Sequence, residues 1–422
     1  MKKTPVLLLL TVTSLLFTTC SKEEYPKLSD FPKLSITNAS SLVVYNNENS
    51  GARTSSTDYQ GLFKITTNGT LESVKLIKLD GNEAENTTTD IWAMYEVNKD
   101  YLAIQGALMV GESQVAYGTL LVRKKDGAIF NLGTPSEIFF NDLWGQVIFQ
   151  SDGFGNAYYE SGISSNVIKL TLSDEEITKT DYLPQGQGGD IFAIDFNGNC
   201  IYSTDYVRIR KSTGGIYECK EVSNFWIGSN GKIYYPSSIV TQGELYSSSV
   251  SIINTIAVNN DSSISTDTVW VAPENEDPYF EGPSPIYDFL IKRPNSTIAV
   301  NRYDGGGGWE FFEDTNTLKR FPLPYFGSNY PTKIVVSPNY FYQTHGSKLY
   351  KISLEDYSYQ LLLGEGQYEV YSMVVDANDL LQFSALRFSD GKKILAQIDS
   401  NGVFTILDEE QNKPATILQR LN

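Results

Sequence analysis

Histidine and cysteine are scarce in this chain, and their scarcity excludes much enzyme and metal chemistry. The 422 residues include one histidine, His345, and three cysteines. Multi-histidine metal sites are therefore excluded, and one imidazole remains for acid–base work. The sequence contains no Walker loop, G-x-S-x-G, H-E-x-x-H or C-x-x-C motif. We expect His345, which precedes Gly346, to be a solvated residue at a hairpin tip.

Basic residues are also few compared with acidic ones. Lys and Arg number 33 against 50 Asp and Glu, which gives a formal net charge of −17. Nucleic-acid binding needs clustered basic side chains, so we expect no nucleic-acid partner. The charge also argues against electrostatic attraction of the whole chain to an anionic bilayer.

Long apolar runs are missing after the first 20 residues, where the chain begins with a short one. Lys2 and Lys3 precede an apolar stretch at residues 6–17 that is too short to span a bilayer, and Thr18-Thr19-Cys20 follows. The segment resembles a bacterial lipoprotein signal, and residues 21–24 (SKEE) resemble the export tag of Bacteroidetes surface lipoproteins. The resemblance implies removal of residues 1–19, lipidation of Cys20 and a lipid-anchored, surface-exposed position on the outer membrane. The alternative is an ordinary secretory signal with a cysteine nearby.

Aromatic, Gly and Asn residues are abundant and indicate an all-β fold. The chain has 27 Tyr, 21 Phe and 5 Trp, and Asn, Asp or Gly turns separate short apolar runs. Turns that separate paired runs recur at intervals of roughly 40 to 58 residues, which fits the four-stranded blade of a β-propeller. We favour eight blades, and seven fit if one irregular unit is misread.

The ends of the chain complete the predicted domain organisation. We expect a signal peptide at residues 1–19, a lipidated cysteine with a flexible tether at 20–40, and one propeller domain at 41–422. The first unit lacks an innermost strand, so we expect residues 415–421 to complete blade one and close the ring. Cys200 and Cys219 should lie on the second and fourth strands of one blade, too far apart for a disulfide.

A recurring Asp- or Asn-aromatic pattern opens five predicted innermost strands, where side chains would surround one mouth of the axial channel. These residues could form a ring of carboxylates, amides and stacking faces for a glycan or a cation. They equally fit turn capping and packing between blades. The candidates are Asp90, Trp92, Asp142, Trp144, Asp190, Asn224, Trp226 and Asp288.

Two weaker patterns suggest other chemistry. Residues 152–156 and 195–199 partly resemble calcium loops but lack the full spacing, so we favour hairpin turns and expect no cofactor. Glu310 and Glu313 could serve as a glycosidase carboxylate pair.

Three hypotheses for function follow. The first is a non-catalytic surface propeller that binds a glycan or a protein partner, which we favour. The second is a carbohydrate-active lyase or hydrolase that uses carboxylates at the channel mouth. The third is a structural scaffold of a cell-surface complex.

Overall fold

The computed structural model describes 17 stretches of the chain, and these are almost entirely β-strand. The described residues are 27–45, 61–133, 149–152, 155–160, 167–173, 176–183, 191–195, 199–203, 207–210, 216–219, 225–242, 247–258, 263–273, 289–300, 307–322, 331–410 and 415–421. Within these stretches the one helical element is a short 3-10 turn, Leu28–Asp30. None of the helical structure there is long and apolar enough to cross a membrane.

The strands form eight four-stranded sheets and one two-stranded ribbon. The ribbon pairs β1 (Lys33–Leu34) with β5 (Leu76–Ile77). The first three sheets run β34 (Ala415–Arg420), β2 (Ala39–Tyr45), β3 (Gly61–Thr66), β4 (Leu71–Ser73); β6 (Thr87–Glu96), β7 (Tyr101–Val110), β8 (Ser113–Arg123), β9 (Ile129–Gly133); and β10 (Phe149–Ser151), β11 (Asn156–Glu160), β12 (Val167–Leu172), β13 (Ile177–Leu183).

The next three sheets run β14 (Ile191–Ile194), β15 (Cys200–Ser203), β16 (Val207–Arg210), β17 (Ile216–Cys219); β18 (Trp226–Ile227), β19 (Ile233–Gln242), β20 (Ser247–Val258), β21 (Ile264–Val271); and β22 (Phe289–Arg293), β23 (Ser296–Val300), β24 (Gly307–Phe312), β25 (Thr317–Pro322). The last two run β26 (Pro331–Val336), β27 (Tyr340–His345), β28 (Lys348–Ser353), β29 (Tyr359–Leu363); and β30 (Tyr368–Val375), β31 (Leu381–Arg387), β32 (Lys393–Ile398), β33 (Phe404–Glu410). We call these sheets blades 1 to 8.

Eight hydrophobic clusters connect each blade to the next and return from blade 8 to blade 1. Each cluster combines buried side chains of two successive sheets, as expected for blades that pack face to face around an axis. Each interface is represented here by two members of its cluster, one from each blade, in order: Leu42 and Leu102, Ala103 and Phe149, Tyr158 and Ile194, Ile201 and Ile233, Ile253 and Phe311, Ile298 and Phe341, Tyr342 and Phe383, and Leu395 and Val43. The predicted fold class, an all-β propeller of four-stranded blades, is confirmed.

The C-terminal strand closes the ring, as predicted from the missing innermost strand of the first unit. Strand β34 pairs antiparallel with β2, and Val43 faces Leu418 in the register. The amide of Leu421 then donates to the carbonyl of Ser40 at 3.2 Å, and the Leu421 side chain is buried in the cluster between blades 1 and 2. Both ends of the propeller domain therefore meet in one sheet.

Cys200 and Cys219 occupy the predicted strands of blade 4. Cys200 lies on β15 opposite Arg210, and Cys219 lies on β17 opposite Val207. Strand β16 separates them, and the two cysteines lie at opposite ends of that strand. Because neighbouring strands are about 4.8 Å apart, the backbones are too distant for a disulfide.

Residues 27–40, predicted from composition to be a flexible tether, are packed onto the ring. Phe31, Leu34 and Ile36 are buried in the cluster between blades 1 and 2. The amide of Leu34 donates to the carbonyl of Gly127 at 2.9 Å, which fixes the segment against the turn between β8 and β9. The prediction was wrong here, because three apolar residues among Lys, Ser and Pro are enough to pack into the space between blades 1 and 2.

Candidate functional site

Blade 2, which contains the predicted channel residue Asp90, has long central strands. Strands β7 and β8 have 10 and 11 residues. We call them the blade 2 hairpin. Only blade 5 has a comparable pair among the described strands, β19 and β20 with 10 and 12 residues. Both pairs are the second and third strands of their blades, so Val110 at the end of β7 and Gln242 at the end of β19 lie at the same end of the ring.

Asp90 lies on β6, the innermost strand of blade 2, in a row that crosses three strands. It faces Ala107 on β7, and Ala107 faces Tyr117 on β8. Side chains directly opposite each other in antiparallel strands share one face of the sheet. Asp90 is exposed, Tyr117 is 49% exposed, and the small Ala107 forms the floor between them. The backbones of Asp90 and Tyr117 are about 10 Å apart, two strand spacings.

Next to this row, on the same face of the hairpin, lies a pair of polar side chains. Further along, this face packs against blade 3 through Ala103 and Leu121. Gln105 and Thr119 form the second cross-strand pair down the hairpin and are buried. Among the described residues, the Thr119 hydroxyl has no hydrogen-bond partner. The row of Asp90, Ala107 and Tyr117, which we call the blade 2 row, therefore has a polar base and an exposed outer edge.

Two glycines and a bulge shape the strands around this row. Gly106 and Gly118 face each other between the row and its base, and a Cβ on Gly106 would collide with the carbonyl oxygen of Asp90. Gly118 has a φ of +132°, which favours glycine. Strand β6 bulges at Trp92, because Ile91 pairs with Gly106 and residue 93 with residue 105. Asp90 is the fourth residue of β6, whereas the sequence pattern predicted that it would be the first.

The remaining predicted mouth residues divide into one that is packed and several outside the described residues. Trp226 is 3% exposed and stacks on Tyr234 with ring centroids 5.5 Å apart, while Trp309 and Phe311 approach within 5.6 and 6.1 Å. Its ring packs between blades 5 and 6 and offers no open stacking face. Five candidates and the Trp92 side chain lie outside the described residues: Asp142, Trp144, Asp190, Asn224 and Asp288.

Glu310 and Glu313, which the sequence suggested as a catalytic pair, point to opposite interfaces. Glu310 accepts hydrogen bonds from Ser296 of its own blade and from Tyr357 of blade 7. Glu313 accepts from Ser229 of blade 5 at 2.7 Å. Both carboxylates are buried, 2% and 5% exposed, and each ties blade 6 to a neighbour. Both carboxylates are thus occupied by hydrogen bonds at interfaces between blades, which is a structural role.

The residues that flank the two calcium-like loops are hydrogen-bonded as at the ends of a hairpin turn, which the spacing favoured. The Asp152 carboxylate accepts from the amide and side chain of Asn156, at 3.2 and 2.5 Å. Asp195 and Asn199 repeat the arrangement at 2.7 and 2.6 Å. Within the described part of the chain, no group of three His, Cys, Asp or Glu residues is placed to hold a metal ion.

His345 is buried at the end of β27, so the expectation of a solvated hairpin tip was wrong. It is 4% exposed and pairs in register with Pro331 and Lys348. Burial, followed by the positive charge of Lys348, lowers its pKa from 6.5 to about 4. The imidazole is therefore neutral at pH 7 and enclosed in the sheet, a poor position for an acid–base catalyst.

This buried imidazole should make the protein sensitive to acid. In the unfolded chain His345 binds a proton below about pH 6.5, whereas in the folded chain it binds one only near pH 4. Between these two values the proton stabilises the unfolded chain, so the free energy of unfolding falls as the pH is lowered. The loss should approach about 3 kcal/mol at pH 4 and vanish above pH 7. Urea unfolding at pH 7 and pH 4 should show a smaller acid loss in His345→Gln than in the unchanged protein. Equal losses in the two proteins would contradict this assignment.

Comparisons with known proteins show no family for this chain. No family model matches the sequence, and no curated protein matches it. The chain is similar to the solved structure of a eukaryotic initiation factor, at 10% identity over 90% of this chain and 97% of that one, with a TM-score of 0.47. A quinonprotein alcohol dehydrogenase-like protein from Bacteroides thetaiotaomicron matches at 11% identity, 82% and 94% coverage and a TM-score of 0.38.

Dipeptidyl peptidase 4 from Porphyromonas gingivalis matches at 9% identity and a TM-score of 0.40, over 87% of this chain and 53% of that one. The present chain thus spans about half the length of that enzyme. With identities near 10% and TM-scores below 0.5, no conclusion about this chain is drawn from these likenesses. What the chain binds has to be argued from its own residues.

Proposed function

We propose that this protein is a lipid-anchored, non-catalytic propeller of the outer bacterial surface that binds a neutral glycan on the blade 2 row. The single observation that carries the binding proposal is the placement of an exposed carboxylate and an exposed aromatic ring on one face, separated by an alanine floor. The resemblance of residues 1–24 to a surface-lipoprotein signal supports the location.

The two exposed side chains of the row suit the two kinds of surface that a sugar presents. The Tyr117 ring offers a π-face to the apolar C–H face of a pyranose, and the Asp90 carboxylate accepts hydrogen bonds from hydroxyl groups. Since the two backbones are about 10 Å apart, one ligand that touches both must span two strands. An oligosaccharide is therefore favoured over a monosaccharide.

The local charge selects neutral glycans. Asp90 lies in the row and Glu112 in the turn between β7 and β8, and both are exposed. Glu96 and Asp100 lie toward the other end of these strands, where Glu96 pairs with Lys124 at 2.8 Å. Sulfated or uronate-containing chains would meet like charge on a protein that already carries −17. We therefore expect uncharged hexosans or pentosans to bind more tightly than anionic ones.

Substitution of the aromatic ring should cost most of the affinity. In isothermal titrations with maltohexaose, cellohexaose, xylohexaose and mannohexaose, Tyr117→Ala should weaken the best binder at least about tenfold, roughly 1.4 kcal/mol. Asp90→Asn, which keeps one carbonyl acceptor, should weaken it less than Asp90→Ala.

The matched control is Tyr359→Ala on the outermost strand of blade 7, because that tyrosine is 56% exposed and lies far from the row in the ring. It should leave the affinity unchanged. Equal losses in Tyr117→Ala and Tyr359→Ala, or no binding to any hexasaccharide, would overturn the binding proposal. Cleavage of the oligosaccharides during the titration would favour the alternative of a carbohydrate-active enzyme.

A further inference from the structure

A tight hairpin at residues 78–82 carries the most exposed large apolar side chain among the described residues. Leu79 is 74% exposed. The hairpin is well defined, because the Lys78 amide donates to the Asn82 carbonyl at 2.8 Å and the Gly81 amide to the Lys78 carbonyl at 2.9 Å. Gly81 has a φ of +86°, as such a turn requires. The turn therefore holds one apolar side chain in a fixed position in solvent.

We propose that this hairpin, which we call the Leu79 hairpin, contacts the lipid bilayer in which Cys20 is anchored. The inference rests on the lipid anchor of the proposed function and specifies how the ring sits on the membrane. Three features support this contact: the direction of the strands in the β1–β5 ribbon, the short connection from Cys20 to the ring and the uneven charge of the chain.

Strand direction places the hairpin on the side from which the chain leaves toward Cys20. Strand β1 pairs antiparallel with β5, with Lys33 opposite Ile77. Moving from Lys33 toward the N-terminus therefore follows the same direction as moving from Ile77 into the Leu79 hairpin. The N-terminal end of β1 and the Leu79 hairpin therefore lie at the same end of one ribbon.

Tether length holds this end of the ribbon close to the membrane. Packing of the chain onto the ring starts near Leu28, which contacts the cluster between blades 1 and 2. Only residues 21–26 separate Cys20 from Lys27. Seven residue steps reach at most about 25 Å when fully extended, and less in any other conformation. A tether of 20 free residues would let the ring turn in any direction, whereas this short connection does not.

Charge favours the same orientation. Residues 27–133, which include the N-terminal segment and most of blades 1 and 2, carry 10 basic and 12 acidic side chains. Residues 134–422 carry 20 basic and 36 acidic ones. An anionic bilayer would therefore repel the remainder of the ring far more than the nearly neutral part that holds the Leu79 hairpin. In the hairpin itself, Lys78 and Asp80 offset each other.

The experiment uses the full-length lipidated protein in vesicles of phosphatidylethanolamine and phosphatidylglycerol. In a Cys200→Ser, Cys219→Ser background, Leu79→Cys carries a polarity-sensitive fluorophore, and quenching by nitroxide-labelled lipid is measured. The matched control is Leu361→Cys on β29, because that leucine is 48% exposed on blade 7. We expect at least twofold stronger quenching at position 79 than at position 361, and none at either position when Cys20→Ala prevents anchoring.

The outcomes separate the anchor from the contact. Failure of the unchanged protein to float with vesicles would contradict the lipid anchor of the proposed function. Flotation with equal, weak quenching at positions 79 and 361 would leave the anchor in place and overturn the hairpin contact. A fluorophore at position 79 that is already shielded without vesicles would indicate a protein partner, such as a second copy of the chain, and would also overturn it.

Discussion

Deleting residues 415–422 is expected to unfold the ring and not merely to shorten its end. The deletion removes the innermost strand of blade 1, which pairs with β2 from Ser41 to Tyr45. It also removes the buried Leu421 and uncovers Leu42 and Val44, which are fully buried. The lost strand pairing and apolar burial amount to an effect on the order of 10 kcal/mol, comparable to the whole stability of a typical domain.

Thermal unfolding followed by circular dichroism measures this effect. Removal of Asn422 alone should leave the melting temperature unchanged, and Leu421→Ala should lower the free energy of unfolding by roughly 2 to 5 kcal/mol. A synthetic peptide of residues 411–422, added to the truncated chain, should restore part of the folded signal. A truncated chain that melts like the intact one would contradict ring closure by β34.

Replacement of Glu310 by alanine is the second change with a large expected effect. The Glu310 carboxylate receives Arg293 at 2.9 Å and the hydroxyls of Ser296 and Tyr357. Its removal takes the acceptor from the buried Ser296 and Tyr357 hydroxyls, while Arg293 keeps its hydrogen bond to the Leu354 carbonyl at 3.1 Å. Losing the charged partner of a buried network of this kind typically costs about 3 to 5 kcal/mol.

The control is an ion pair of similar length at the surface. Glu365 lies 3.0 Å from Lys348 and its side chain is 78% exposed, so Glu365→Ala should change the free energy of unfolding by less than about 1 kcal/mol. Chemical denaturation of both variants gives the comparison. Equal, small losses would show that the Glu310 network does not hold the blades together.

Local features of the sequence predicted the blades because they depend on neighbouring residues. Turn residues such as Gly69 and Gly402 have positive φ angles of +79° and +82°, and the alternation between them marked the strands. Counting strands per unit was then sufficient to assign the last strand to the first sheet. The turns at Asp152 and Asp195 were predictable for the same reason, since their partners lie four residues away.

Features that depend on a neighbouring blade were missed. The roles of Glu310 and Glu313 and the packing of residues 27–40 are set by contacts between blades or with the N-terminal segment. Tyr357 lies 47 residues from Glu310, and Ser229 lies 84 residues from Glu313. The periodicity of the sequence does not reveal such pairs. An acidic residue is expected at the surface unless a buried partner is known.

The candidate site was predicted in part. The pattern identified Asp90 and its innermost strand, but not Tyr117, which lies 27 residues later in a run without aromatic neighbours. Gly106 and Gly118 were the available signal, since glycine inside a strand marks a bulge or a close backbone approach. Pairing them in one hairpin would have placed Tyr117 two strands from Asp90.

Hydrogen exchange of the full chain, with and without the hexasaccharide that binds most tightly, tests the glycan site most directly. We expect slower exchange at residues 88–92 and 106–118, with residues 340–361 of blade 7 unchanged. Tyr117→Ala should abolish this protection at the same sugar concentration. Protection confined to other blades, or protection of the blade 2 row that survives Tyr117→Ala, would contradict a glycan site on that row.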